Sequence, residues 1–186
     1  MVEIDWAFCL SFPFGVLKTL HVIAPFAFLI TVYLGPYIYS GVGFTLLVGW
    51  MSFTTNTFIL IMYLLGIHRK DLETNGNSIM FFAVTIADFF ANALFGALFL
   101  ISTFINAIAM ISGIEHRFSL FLTYLFATIF CIISTISMIY YVIRIYRACP
   151  NGNLSNLKYL VVNGKDITLR EGFGYSSQSG GPRQYA

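Results

Sequence analysis

Charge is what this 186-residue chain has least of: Asp, Glu, Lys and Arg together make up 10% of it, against 58% hydrophobic residues. A soluble domain of that balance would present apolar surface to water and aggregate, so lipid is the solvent that suits it. Cysteine is scarce as well. Of the three, Cys9 and Cys149 flank the apolar part of the chain and Cys131 lies inside it, so none can form a disulfide in an outward loop. Catalytic and cofactor motifs are missing too: there is no CxxC pair, no Gly-rich phosphate loop and no nucleophile elbow. His21, His68 and His116 fall in three separate regions, which rules out a shared metal or a pair of haems. We therefore expect no enzyme, cofactor or metal. The chain opens with Glu3 and Asp5 instead of a basic stretch, and no cleavable signal peptide is expected.

What is present is long and apolar. Four runs, Thr19 to Tyr39, Val42 to Ile67, Ile79 to Ile111 and Phe118 to Ile143, each reach the roughly 20 residues a helix needs to cross about 30 Å of hydrocarbon. The expected fold class is an all-α membrane protein: a four-transmembrane-helix bundle over residues 1–149, followed by a tail over 150–186. Its first partner is the lipid bilayer, and the net charge of +2 gives no reason to expect nucleic acid. Apart from Arg117, the basic residues Lys18, Arg69, Lys70, Arg144, Arg147, Lys158, Lys165, Arg170 and Arg183 lie before span one, between spans two and three, or after span four. By the positive-inside rule both termini are then cytoplasmic. The outward connections, about Gly35 to Gly43 and Ser112 to Arg117, are too short to hold an extracellular domain. The sequon Asn153-Leu154-Ser155 would stay unmodified in that orientation.

Polar residues within spans are rare and need partners. Span three carries most of them: at 100° per residue, Thr85, Asp88, Asn92, Gly96, Phe99, Thr103 and Asn106 fall within about 80° of one another and should face the bundle interior. Ala83, Ala87 and Ala91 form a second row that would admit a close helix neighbour. Asp88 and Asn56 sit at matching depths from the cytoplasmic side, so a polar layer of Asp88, Asn56, Asn92 and His21 is expected, with Lys18 snorkelling towards the headgroups. Two readings of that layer stand. One is interhelical glue at about 1 kcal/mol per hydrogen bond; the other is a proton or cation site with Asp88 as its carboxylate. Pro25 suggests a kink in span one.

In the tail, Lys158–Val162 and Lys165–Leu169 flank Asn163-Gly164, a strong hairpin signal. A small cytoplasmic β-hairpin over 158–170 is expected. An isolated hairpin is marginal in water, so it would dock on the bundle or add a strand to a partner; a fluctuating linker is the alternative. Residues 172–186 are rich in Gly, Ser and Gln and are expected to be disordered, with Tyr175 and Tyr185 as candidate phosphorylation sites. Cys149, close to Arg144 and Arg147, has the position of a palmitoylated cysteine.

The entry to span one, Phe12-Pro13-Phe14-Gly15-Val16-Leu17-Lys18-Thr19-Leu20-His21, and the run from Ala87 through Asp88 to Phe99 resemble the MARVEL domain, over roughly Phe8 to Arg147. His21 stands where that family usually carries Gln. The outward cysteines of the synaptophysin branch and the long loops of the occludin branch are missing, which leaves the short-loop MAL and chemokine-like-factor groups nearest. The resemblance implies a non-catalytic protein of membrane apposition, vesicle trafficking or membrane organisation, in the plasma membrane or vesicles of the secretory pathway. Two other functions stay open: an auxiliary subunit of a larger channel, receptor or junction protein, and a small ion or proton transporter using Asp88. Self-association is a further expectation.

Overall fold

The computed structural model describes residues 5–36, 39–67, 72–74, 78–80 and 83–169. A short helix α1 (Ala7–Leu10) precedes four long ones, α2 (Phe14–Tyr33), α3 (Val42–Leu64), α4 (Val84–His116) and α5 (Phe118–Ala148). All four are long and apolar enough to cross a membrane, so the chain is a multi-pass integral membrane protein. They pack in chain order around a ring, α2 on α3, α3 on α4, α4 on α5 and α5 back on α2, with the α4–α5 contact the most extensive. An even number of crossings brings both termini to the same end of the bundle.

The helices do not coincide with the apolar runs. α2 starts at Phe14 and stops at Tyr33, whereas the run extends from Thr19 to Tyr39. α4 keeps the expected 33 residues but covers Val84–His116, shifted five residues towards the C-terminus relative to the apolar run. Ile79 belongs instead to a small antiparallel pair, β1 (Leu72–Thr74) with β2 (Ser78–Met80). At the far end the expected outward connection of Ser112 to Arg117 shrinks to Arg117 alone, an extended residue (φ −157°, ψ 135°) between α4 and α5. At about 1.5 Å per residue α4 is about 50 Å long. It is continuous, so its surplus over the hydrocarbon is taken up by tilt or protrusion.

Which faces are buried follows from size and polarity. At Gly113 α4 lies close against α5: a Cβ there would lie 2.8 Å from the backbone nitrogen of Phe121. The expected alanine row serves no such approach. Ala87 is exposed and Ala83 half-buried, while Ala91 is half-buried against the core, so the row is not one contact face. Thr85, Asp88, Asn92, Gly96, Phe99 and Asn106 are buried as the stripe requires, while Ser102 goes inside where Thr103 is only half-buried.

After α5 a stretch of 3-10 turns, Pro150–Gly152 and Leu154–Tyr159, leads into a second hairpin, β3 (Leu160–Val162) with β4 (Ile167–Leu169). Its pairs are Leu160 with Leu169, Val161 with Thr168 and Val162 with Ile167. The hairpin is shorter than the expected 158–170, because Lys158 and Tyr159 remain in the 3-10 turn. Nor is the connection a two-residue Asn-Gly turn: Asn163 N–H donates to the Asp166 carbonyl (2.9 Å), which makes the loop Asn163–Asp166. Of the two placements expected for it, the hairpin takes the docked one. Leu157, Leu160, Val162 and Ile167 share one apolar cluster with Phe8, Phe14, Tyr63, Val84, Tyr141 and Ile145. Each such side chain taken out of water contributes about 1.5–3 kcal/mol, which an isolated hairpin lacks. The Gly164 carbonyl accepts from Phe14 N–H (2.8 Å) and Gly15 N–H (3.2 Å), satisfying donors that the first turn of α2 leaves free. Thr85 Oγ1 donates to the Leu160 carbonyl (2.8 Å), and Asp5 N–H donates to the Leu64 carbonyl at the end of α3 (2.9 Å). The first and last described segments thus close the same end of the bundle.

Candidate functional site: a carboxylate held at the centre of the bundle

The early start of α2 has one large consequence. With helix from Phe14 onward, Lys18 lies more than a turn inside and is 0% exposed. The expectation that it snorkels to the headgroups is overturned: its ammonium forms a salt bridge with Asp88 Oδ1, also 0% exposed. A charge of either sign is costly in a dry interior unless it is paired and hydrogen-bonded, and here each meets the other.

Around that pair all four spans contribute. Asp88 Oδ1 also accepts from Asn92 Nδ2 (2.6 Å), on the same helix one turn along. Asp88 Oδ2 accepts from the hydroxyl of Tyr63 on α3 (2.9 Å) and from that of Tyr141 on α5. Lys18 donates a second hydrogen bond to Asn56 Oδ1 on α3 (3.0 Å), and its ammonium lies 5.1 Å from the centre of the Tyr141 ring. Asn56 Nδ2 in turn donates to the Ser52 carbonyl (3.0 Å) and to Ser52 Oγ (3.2 Å). The carboxylate therefore receives hydrogen bonds from Lys18, Tyr63, Tyr141 and Asn92, and Lys18 is what joins Asn56 to Asp88.

The expected layer of His21, Asn56, Asp88 and Asn92 comes together, but with a different centre. Lys18, Tyr63 and Tyr141 were missing from it. His21, also buried, packs its ring edge-on against Tyr141 with centroids 5.2 Å apart. It does not touch the carboxylate. The site is closed over by the aromatic cluster beneath it, where Phe8 stacks on Tyr63 (5.0 Å, 9°) and Phe14 meets Tyr141 edge-on (6.0 Å).

Further along the bundle, polar contacts thin out. Asn106 Nδ2 donates to the Ser102 carbonyl (2.8 Å) and approaches Cys131 Sγ (3.6 Å). The Tyr124 hydroxyl accepts from the Tyr39 N–H (2.7 Å). Among the described residues, no group of three His, Cys, Asp or Glu is placed to hold a metal ion.

Cys149, the expected lipidation site, is 7% exposed and belongs to the apolar cluster beneath the hairpin. Burial pushes its thiol up from the ordinary range, which lowers the share of reactive thiolate. Acylation would require this end of the chain to come away from the bundle. Tyr175 and Tyr185, and the expected disorder over 172–186, lie outside the described residues. Compared with known proteins, the chain matches no family model, no curated protein and no solved structure.

Proposed function

We propose that this multi-pass protein is a non-catalytic membrane organiser of the MARVEL type, supporting vesicle trafficking or membrane apposition through lateral packing of its helices and their contacts with lipid. The terminus-bearing end, where Arg144, Arg147, Lys158 and Lys165 gather, is the cytoplasmic one in this reading. The observation that carries it is the saturation of Asp88. A transport carboxylate must exchange its partner for an ion or for water during the cycle. Asp88 instead receives four side-chain hydrogen bonds, from Lys18, Tyr63, Tyr141 and Asn92, and each partner is itself fully or nearly fully buried. That arrangement favours register and rigidity over turnover.

Two experiments test this. Proteoliposomes containing the purified chain should leak protons and monovalent cations no faster than empty ones; a flux that is present and disappears in folded Asp88→Asn would overturn the reading in favour of a transporter. The second is the composition of particles extracted from the native membrane together with their lipids. The organiser reading expects this chain alone or with copies of itself, in an enriched lipid class. A stoichiometric larger membrane protein in the particle would overturn it in favour of an auxiliary subunit.

A further inference from the structure

Within one or two turns of the Lys18–Asp88 network, towards the middle of the bundle, each of the four spans contributes another polar residue: His21 on α2, Ser52 on α3, Asn92 on α4, and Ser134 and Ser137 on α5. All five are buried. Several of their atoms have no partner. Asn92 Oδ1 and Ser134 Oγ make no hydrogen bond, and His21 has at most a weak one, to the Ser137 backbone, which leaves its other ring nitrogen unmet. Pro25 interrupts the helical ladder here. It lies inside α2 and has no N–H, so the His21 carbonyl four residues earlier loses its helical donor.

The residues are tied together by contacts already described. The His21 ring rests on Tyr141 (5.2 Å), Tyr141 and Asn92 both donate to Asp88, and Ser134 lies two turns from Tyr141 on the same face of α5. Unmet hydrogen bonds at this density are rare in a protein interior, and each costs about 1–3 kcal/mol if it stays unmet.

We propose that this tier is a hydrated chamber whose ligand is water. The unmet atoms define the occupant. Asn92 Oδ1 and one imidazole nitrogen are acceptors, and Ser134 Oγ can take either role, so the occupant must bring hydrogens to donate. Lys18, one turn away and positively charged, opposes a metal cation. The complete burial of these residues denies entry to a lipid hydroxyl. Water donates two hydrogens and accepts two, and buried water typically bridges 2–4 groups of this kind. The chamber is shut at both ends. Phe28, Leu29, Phe95 and Phe99 pack above it, and the Phe8, Phe14 and Leu160 cluster with its docked hairpin closes it below. It is a held reservoir and not a channel, consistent with a protein that does not conduct.

Nuclear magnetic resonance on the full chain in lipid bilayers, labelled with 15N-histidine, tests the chamber directly. The three histidines are assigned with His68→Gln and His116→Gln. The expected result is a His21 ring with hydrogen-bonded 15N shifts on both nitrogens that receives magnetisation from water protons. A His21 ring with no transfer from water overturns the proposal, whether its nitrogens appear free or bonded to protein. Ser134→Ala gives a second reading, because it removes a hydroxyl that has no protein partner to lose. Water-bridged His21 shifts move in this variant; unchanged shifts overturn the proposal.

Discussion

The two halves of this bundle use the same four helices and hold them together by different physics. In the terminus-bearing half a buried ion pair, two tyrosine hydroxyls and two asparagines tie every span to Asp88, and the first and last described segments fold over that centre. In the far half Phe28, Phe95, Phe99, Tyr124, Ala127 and Met138 pack by shape, with Asn106–Cys131 between helices and Tyr39–Tyr124 between a connection and α5 among its few described polar contacts. Lipid tails are as apolar as the residues they would replace, so packing alone gives weak direction in a membrane, whereas a buried charge accepts only its partner. The polar half fixes which helix faces which; the apolar half sets how closely they approach.

The largest effect should come from splitting the ion pair. Lys18→Met leaves the Asp88 charge buried with only neutral donors, and breaking such a pair from one side costs about 3–5 kcal/mol. The double variant Lys18→Met, Asp88→Leu should recover a substantial part of that loss, since neither charge then remains. Equilibrium unfolding in mixed micelles measures both. If the double variant is as unstable as the sum of the single ones, the comparison fails, and the polar half is held by something other than this pair.

That pair was only half legible in the sequence. The stripe of Thr85, Asp88, Asn92 and Asn106 follows from helical spacing alone, and so does the four-span class from the length of the apolar runs. Lys18 was hidden because a basic residue at the edge of an apolar run normally marks the headgroup region; its own charge sets the apparent boundary at Thr19. The helix begins at Phe14 because Gly164, almost 150 residues on, accepts the first amide hydrogens, and no local window contains that information. Tyr63 and Tyr141 sit near helix ends, where tyrosine ordinarily belongs to the aromatic belt, so nothing local distinguishes them as ligands of a carboxylate. The first hairpin did have a signal: Asn75-Gly76 lies between its strands.

The far half is tested by crowding it. In Gly113→Leu even the first carbon of the new side chain meets backbone, Phe121 N at 2.8 Å and Leu120 C at 3.1 Å, and backbone cannot rotate aside. Overpacking of this kind costs about 1–3 kcal/mol. Cross-linking between introduced cysteines on α4 and α5 should report separation near Arg117 while the Asp88 end stays in register. Loss of register at both ends would mean that the halves are not independent.

The docked hairpin should respond more gently. Gly164 has φ +85°, and a Cβ there would lie 2.9 Å from Ser11 Cβ. Gly164→Ala should therefore cost about 1–2 kcal/mol from the left-handed backbone alone and loosen the cover. The readout is Cys149. Buried and with its thiol pushed up, it should react with maleimide much more slowly than half-buried Cys9, and Gly164→Ala should raise its rate without altering that of Cys9. Equal rates for Cys149 in both forms would show that the hairpin does not guard it.

The smallest effect belongs to the polar contact between the 39–42 segment and α5. Tyr124→Phe removes the hydroxyl that accepts from Tyr39 N–H (2.7 Å) while leaving the ring in its fully buried place. A single hydrogen bond of this kind contributes about 0.5–1.5 kcal/mol. Tyr63→Phe removes one hydroxyl as well, but from a carboxylate, and hydrogen bonds to charged groups contribute about 1.5–3 kcal/mol. The same chemical change is thus expected to cost roughly twice as much in the polar half as in the apolar one, measured by the same unfolding assay. Equal losses would mean that Asp88 is no more dependent on its donors than a backbone amide is, and the distinction between the two halves would have to rest on the Lys18 pair alone.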